Sequence, residues 1–237
     1  MKKLIFLNFV FLSIVVGQEI RVVIPARVHA MLTISDGKRL GYSSSLDTIL
    51  KEIPKGDYVY GSIGSIDEND NTAPDDFYEL YVDDEVRGEV LLNIFGRYAG
   101  RYFVEISRRG EGRIYEANSY IQKGGEEKFF LRFEAGTSLV FRLVDSGSLR
   151  AHITVAYDAG DLGKSEFYED LNHRTDKLER YLKIEDTSKA YHELQKLDKK
   201  LDEVYEKTLK EKSADPHHFI KEDAYWILKE DVKRLLD

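Results

Sequence analysis

The chain has 237 residues, with 35 Lys plus Arg against 43 Asp plus Glu, a formal net charge of −8 and no cysteine. Without cysteine there is no disulfide framework, no thiolate nucleophile and no cysteine-based metal site. The acidic balance argues against nucleic acid or an anionic membrane as partner, since both are bound through clustered cations.

Lys2 and Lys3 precede an apolar run from Leu4 to Val16, broken only by Asn8 and Ser13 and followed by Gly17. This order predicts a secretory signal peptide over 1–18, with a cut near Gln18. The run is too short for a hydrocarbon core that needs roughly 20 residues. No later run is apolar enough to span a bilayer, so the mature chain is expected to be exported, periplasmic or extracellular, with no membrane span. Removing Lys2 and Lys3 leaves 33 basic against 43 acidic residues.

From Glu19 onward, short apolar stretches alternate with turn signals. Strands are expected over Glu19 to Ile24, Val28 to Ile34, Lys38 to Tyr42, Tyr58 to Ile63, Phe77 to Val82, Gly88 to Phe95 and Arg101 to Ser107. Four more follow, over Arg113 to Ala117, Lys128 to Phe133, Leu139 to Val144 and Leu149 to Ala156. Asp36-Gly37 is a hairpin signal. Tyr102, Val104 and Ile106 alternate with Arg101, Phe103 and Glu105, and Phe129, Leu131 and Phe133 alternate with Lys128, Phe130 and Arg132. One face of each pleat is therefore apolar enough to bury. These strands predict an antiparallel β-sandwich over 19–158, jelly-roll or immunoglobulin-like, within a mainly β plus α chain.

Composition changes near Asp158, and 15 of the 17 glycines precede that point. The remainder, 159–237, is expected to be a charged helical domain of about three amphipathic helices. Phe167, Leu171, Leu178 and Leu182 mark the first; Tyr191, Leu194, Leu197, Leu201, Val204 and Tyr205 mark the second. Asp215-Pro216 reads as N-cap and first position of a third, continuing through Phe219, Ile220, Ala224, Ile227, Leu228, Val232 and Leu235. Such helices must bury their stripes in a three-helix bundle, on the sandwich or on a partner; dimerisation of the middle helix as a coiled coil is the alternative.

The phrase Leu32-Thr-Ile-Ser-Asp-Gly-Lys-Arg-Leu-Gly-Tyr42, then Glu52-Ile-Pro54, Tyr58, Tyr78-Glu-Leu-Tyr-Val82, Gly88 and the ending Gly96 to Ile106 resembles small β-sandwich accessory modules of secreted bacterial proteins, of the pre-peptidase C-terminal type. Gly100 and Tyr102 match the closing hairpin of those modules, whereas Glu89 and Val90 stand where a tyrosine is expected. The resemblance covers about a third of the chain and implies a non-catalytic binding, spacing or assembly role. Lys183-Ile-Glu-Asp-Thr-Ser-Lys-Ala190 and Ile220-Lys-Glu-Asp-Ala224 are similar to the helix starts of a three-helix domain found at the C-termini of secreted bacterial and archaeal proteins, although this tail has few alanines.

Asp67, Asn69, Asn71 and Asp75 alternate in an acidic loop that could supply oxygen ligands to calcium as a cofactor; a plain solvated loop is the other reading. An EF-hand is excluded, because Thr72 and Tyr78 occupy the positions that need glycine and glutamate. Tyr58, Tyr60, Phe77, Tyr78 and Tyr81 flank that loop and form a candidate aromatic platform for sugars, or else divide between core and strand edges.

His29 and His152 fall within expected strands and read as structural or surface residues. His192-Glu193 lacks the second histidine of a zinc-protease helix, and the adjacent His217 and His218 point apart on a helix. No Gly-x-Ser-x-Gly elbow or phosphate-cradling loop is present. The expectation is a non-catalytic exported module that associates with a protein partner or with itself through the sandwich or the tail. Carbohydrate binding is the alternative.

Overall fold

The computed structural model describes residues 20–63, 75–82, 86, 88–134, 137–163, 166–210 and 215–237. The expected signal segment and Glu19 lie outside these residues.

Alternation of β-branched and aromatic residues with polar ones builds eleven strands among the described residues, in two antiparallel sheets. The strands are β1 (Ile20–Pro25), β2 (Val28–Ile34), β3 (Arg39–Ser43), β4 (Thr48–Lys51), β5 (Asp57–Ile63), β6 (Asp75–Val82), β7 (Gly88–Gly96), β8 (Gly100–Arg108), β9 (Gly112–Ile121), β10 (Glu126–Glu134) and β11 (Thr137–Leu143). One sheet runs β5-β6-β1-β8-β9 and the other β11-β10-β7-β2-β3-β4. The expected inward sets hold: Tyr102, Val104 and Ile106, and likewise Phe129, Leu131 and Phe133, are buried between the sheets with Val22, Leu32, Leu80 and Leu92. Burial of these side chains, each contributing about 1.5–3 kcal/mol, drives the two sheets together.

The Asp36-Gly37 hairpin forms with Gly37 at φ +85° and with the Gly37 N–H donating to the Ile34 carbonyl. Gly41, at φ +120°, allows β3 to approach β2 where a β-carbon would collide with the Ala30 carbonyl oxygen. Strand β4 was not expected. It has only four residues, follows a serine-rich loop and begins after Asp47 at φ +48°.

One expected strand is a helix. Leu149 to Ala156 lies within α1 (Ser146–Asp158). Ile153, Thr154 and Val155 favour strand locally, but Asp145 caps the helix by accepting from the Ser148 N–H at 2.7 Å. Leu149, His152, Ile153 and Ala156 then fall on one buried face at helical spacing. The three expected helices follow as α2 (Glu166–Lys183), α3 (Thr187–Lys210) and α4 (Glu222–Leu236), making four among the described residues. Asp215 does not start α4. Its carboxylate accepts from the His217 N–H in a turn, and the helix begins seven residues later, after Lys221.

Leu171, Leu178, Leu194, Leu197, Leu201, Leu228 and Val232 form a second core among the helices. Helix α3 packs between α2 and α4, so its apolar face is already covered within the chain rather than left bare for a coiled-coil partner. Helix α1 packs on β8 and β9, and α4 on β9, which attaches the helical unit to that edge of the five-stranded sheet.

Candidate functional site

The residues expected to bind calcium fall largely outside the described residues. Asp67, Asn69 and Asn71 lie outside the described residues, and of Asp75 only its place at the start of β6 is described. Among the described residues no group of three or more histidine or acidic side chains is arranged to hold a metal ion.

The five aromatic residues divide between two faces. Tyr60 pairs with Tyr78 and Tyr58 with Leu80 across β5 and β6, so these three tyrosines share one face; Phe77 and Tyr81, opposite Gly61 and Asp57, take the other. Tyr58 stacks on Tyr78 at 5.1 Å between ring centroids, and Tyr60 meets Tyr78 at 5.6 Å. His29 joins them. Its ring stacks on Tyr42 at 4.0 Å, its Nδ1 lies 3.2 Å from the Tyr58 hydroxyl, and it meets Tyr78 at 5.2 Å.

This ring cluster borders a cavity of about 440 Å³ lined by His29, Tyr42, Asp47, Phe95, Arg97 and Glu126, among others. Tyr42 donates to Asp47 at 2.7 Å; Arg97 donates to the Ala26 carbonyl at 2.9 Å and to the Tyr78 hydroxyl at 3.3 Å. Burial first, and then the Arg97 charge, lower the His29 pKa to about 4, only partly opposed by Asp47. A neutral imidazole with so low a pKa is a weak base at neutral pH. Among the described residues no serine hydroxyl bonds to it. Titration followed by the His29 ring NMR signals is therefore expected to centre near pH 4; a midpoint near 6.5 would mean that the ring is solvated and away from Arg97.

A second cavity, about 980 Å³, is an open groove on the outer face of the five-stranded sheet. Phe77, Pro25 and Phe103 lie along it, and Ala159, Asp161, Lys221 and Asp223 of the helical unit and its connections form one wall. That wall is tied together by the Lys221 N–H donating to the Asp161 carbonyl at 2.9 Å and the Gly163 N–H to the Phe219 carbonyl at 2.8 Å. Tyr120 donates to the Asp161 carboxylate at 2.6 Å, which fixes the wall to β9.

A buried set of ionisable groups lies elsewhere, where the helical unit meets the sandwich. His152 on α1 bonds Asp231 on α4 at 2.6 Å and Glu127 on β10 at 2.9 Å. Arg142 on β11 pairs with Asp231 and lies 3.5 Å from Glu127. Ser119 on β9 donates to Glu127 and accepts from Arg142. All five are buried. Burial by itself would lower the His152 pKa, but Asp231 and Glu127 more than offset it and raise the value from 6.5 to about 9. The set is thus two cations facing two carboxylates. None of its members lines either cavity above. Its chemistry is that of an internal ionic joint.

Parity on the strands could have revealed this joint. Glu127 shares the inward phase of Phe129, Leu131 and Phe133, and Arg142 that of Val140, so each is a charged residue on an apolar face. His152 was hidden because its segment read as a strand. His29 and Arg97 carry no comparable signal.

Comparison with protein-family models, curated proteins and solved structures finds no match to this chain. What defines it is its architecture: a two-sheet antiparallel sandwich with a four-helix unit joined to one edge.

Proposed function

We propose that the protein is a non-catalytic association module that pairs with a second copy of itself through the β11 edge. The supporting observation is the outward row on that strand: Leu139, Phe141 and Leu143 are 53%, 36% and 44% exposed, with Phe130 of β10 against Phe141 at 5.1 Å. An edge strand offers a row of backbone donors and acceptors, and sheet proteins usually blunt such edges with charge, proline, short length or a covering helix. The other edges carry such devices or lack such a row. Helices sit on β9; β4 is four residues long and ends in Lys51, paired with Asp57; β5 is interrupted by Gly61. On β11 the single charge, Arg142, is held by Asp231 of α4, and the outward row carries no charge. Two such strands can pair about a two-fold axis, each row meeting its copy.

The likeness to secreted accessory modules, together with Lys2, Lys3 and the Leu4 to Val16 run, supports the same reading of an exported, non-enzymatic chain. Light scattering over a concentration series tests it. The wild-type chain is expected to dimerise, and Phe141→Lys to weaken the dimer at least about tenfold by placing a desolvated cation at the centre of the row. A wild-type chain that stays monomeric at high concentration, or a Phe141→Lys chain that dimerises equally well, refutes the reading.

A further inference from the structure

The groove on the outer face of the five-stranded sheet faces away from the second sheet and takes no part in the proposed pairing. Its floor is apolar and laid out in a line. Phe77 on β6 is the register partner of Pro25 on β1. Val23 of β1 opposes Glu105 of β8, and continuing that register by two residues sets Pro25 opposite Phe103. Two aromatic rings therefore stand on one face with a proline between them, two strand spacings or about 9.6 Å apart. Phe103 is 40% exposed. Phe77 lies against the bare backbone of Gly61, where a β-carbon would come within 2.5 Å of the ring, so that ring rests along the sheet rather than standing off it.

The polar rim is paired. Arg21 meets Glu79, Arg101 meets Asp223, and Lys221 meets Asp161 at 2.8 Å. Arg27 and Asp76 complete the set at four cations and four carboxylates. A groove so balanced selects neither an anion nor a cation, and a charged ligand would compete with the existing pairs. Ion pairs still leave lone pairs and N–H groups that can meet hydroxyls without parting. A peptide strand is a poor fit, because the floor is the face of a sheet, with its backbone groups consumed in the ladder rather than offered along an edge.

An apolar floor of separated rings and a rim of paired polar groups suits a neutral polyhydroxylated chain whose apolar ring faces stack on phenylalanine. We infer that this groove binds a neutral glycan of two or more sugar units, laid across the strands from Phe77 past Phe103 toward the Asp161 and Lys221 wall. Both architectures contribute. Asp161, Lys221 and Asp223 come from the helical unit and its connections, and the rings come from the sandwich, so neither part alone contains the site.

The test is calorimetric titration of the full chain with cellohexaose, xylohexaose, mannohexaose and chitohexaose, with hexagalacturonate as a charged control. At least one neutral hexasaccharide is expected to bind and the charged one not. Phe103→Ala is expected to weaken that binding about tenfold, the scale of one lost stacking contact, whereas Phe103→Tyr keeps the ring and the affinity. Circular dichroism confirms that both variants are folded; Phe103 is exposed enough for its truncation to spare the core. Absence of binding by every neutral hexasaccharide, preference for hexagalacturonate, or equal affinity of the Ala variant and the wild type each overturns the assignment.

Discussion

Asp231→Ala is expected to destabilise the protein by about 3–5 kcal/mol, the cost of leaving buried cations without their partner. Asp231 is fully buried and touches both cations of the joint, Arg142 through one carboxylate oxygen and His152 through the other at 2.6 Å. Removing it leaves Glu127 as the one remaining carboxylate bonded within the joint to two positive charges, one of which, Arg142, cannot shed its proton. For a chain of this size each kcal/mol shifts Tm by roughly 2–4 °C, so a fall of about 10 °C is expected in thermal unfolding. A change below about 1 kcal/mol, the range of an exposed pair, would show that water reaches the joint. Replacing the joint with apolar residues of matched volume should cost far less than the single change, because a buried pair is weak as a source of net stability and harmful only when half is removed. The joint links α1 and α4 to β10 and β11 through His152, Asp231, Glu127 and Arg142.

How much of this was legible depends on the kind of signal. Alternation is written residue by residue, so the strands carrying Tyr102, Val104 and Ile106, and Phe129, Leu131 and Phe133, could be placed with the correct face inward. The heptad-like spacing of Leu194, Leu197, Leu201 and Val204 likewise located α3. Leu149 to Ala156 misled because β-branched residues describe local preference, while the helix is decided by the Asp145 cap and by burial against the other helices and β9, partners distant in sequence. Asp215-Pro216 misled in the opposite sense: a genuine local turn was read as a helix start.

The candidate sites were less legible than the fold. Of the aromatic residues singled out, Phe77 lines the larger groove, but its companion Phe103 lies on β8 and adjoins it only through the intervening β1. Tyr58, Tyr60 and Tyr78 gather around His29 because β2 and β6, well separated in sequence, come together at one end of the sandwich. No spacing rule encodes such meetings. Strand order does, and strand order is a property of the whole chain.

Stability is expected to decline as pH rises from about 6.5 to 9, with His152 as the cause. The groups facing its ring are Asp231 from α4 and Glu127 from β10, with Arg142 from β11 bonded to the same carboxylates. In the folded chain the imidazole holds its proton up to about pH 9, against 6.5 when unfolded. A raised folded pKa contributes stability that is complete below the unfolded value and is lost as pH climbs through the folded one. The interval is thus about 6.5 to 9, and its upper limit is on the order of 3 kcal/mol at 1.36 kcal/mol per unit. Burial raises the pKa values of Tyr58, Tyr102 and Tyr120, so these phenols stay neutral through the interval and do not obscure it. Denaturant unfolding at a series of pH values should show the decline in the wild type and its loss in His152→Gln, which has no proton to release; an equal slope in both would remove His152 as the source. The same titration reaches the groove. Deprotonated His152 leaves Asp231 and Glu127 facing only Arg142, which loosens α1 and α4 on β9. The Asp161, Lys221 and Asp223 wall is carried by that attachment. Glycan affinity is therefore expected to fall over the same interval as stability; an unchanged affinity would show that the Tyr120–Asp161 bond and the Arg101–Asp223 pair hold the wall without the joint.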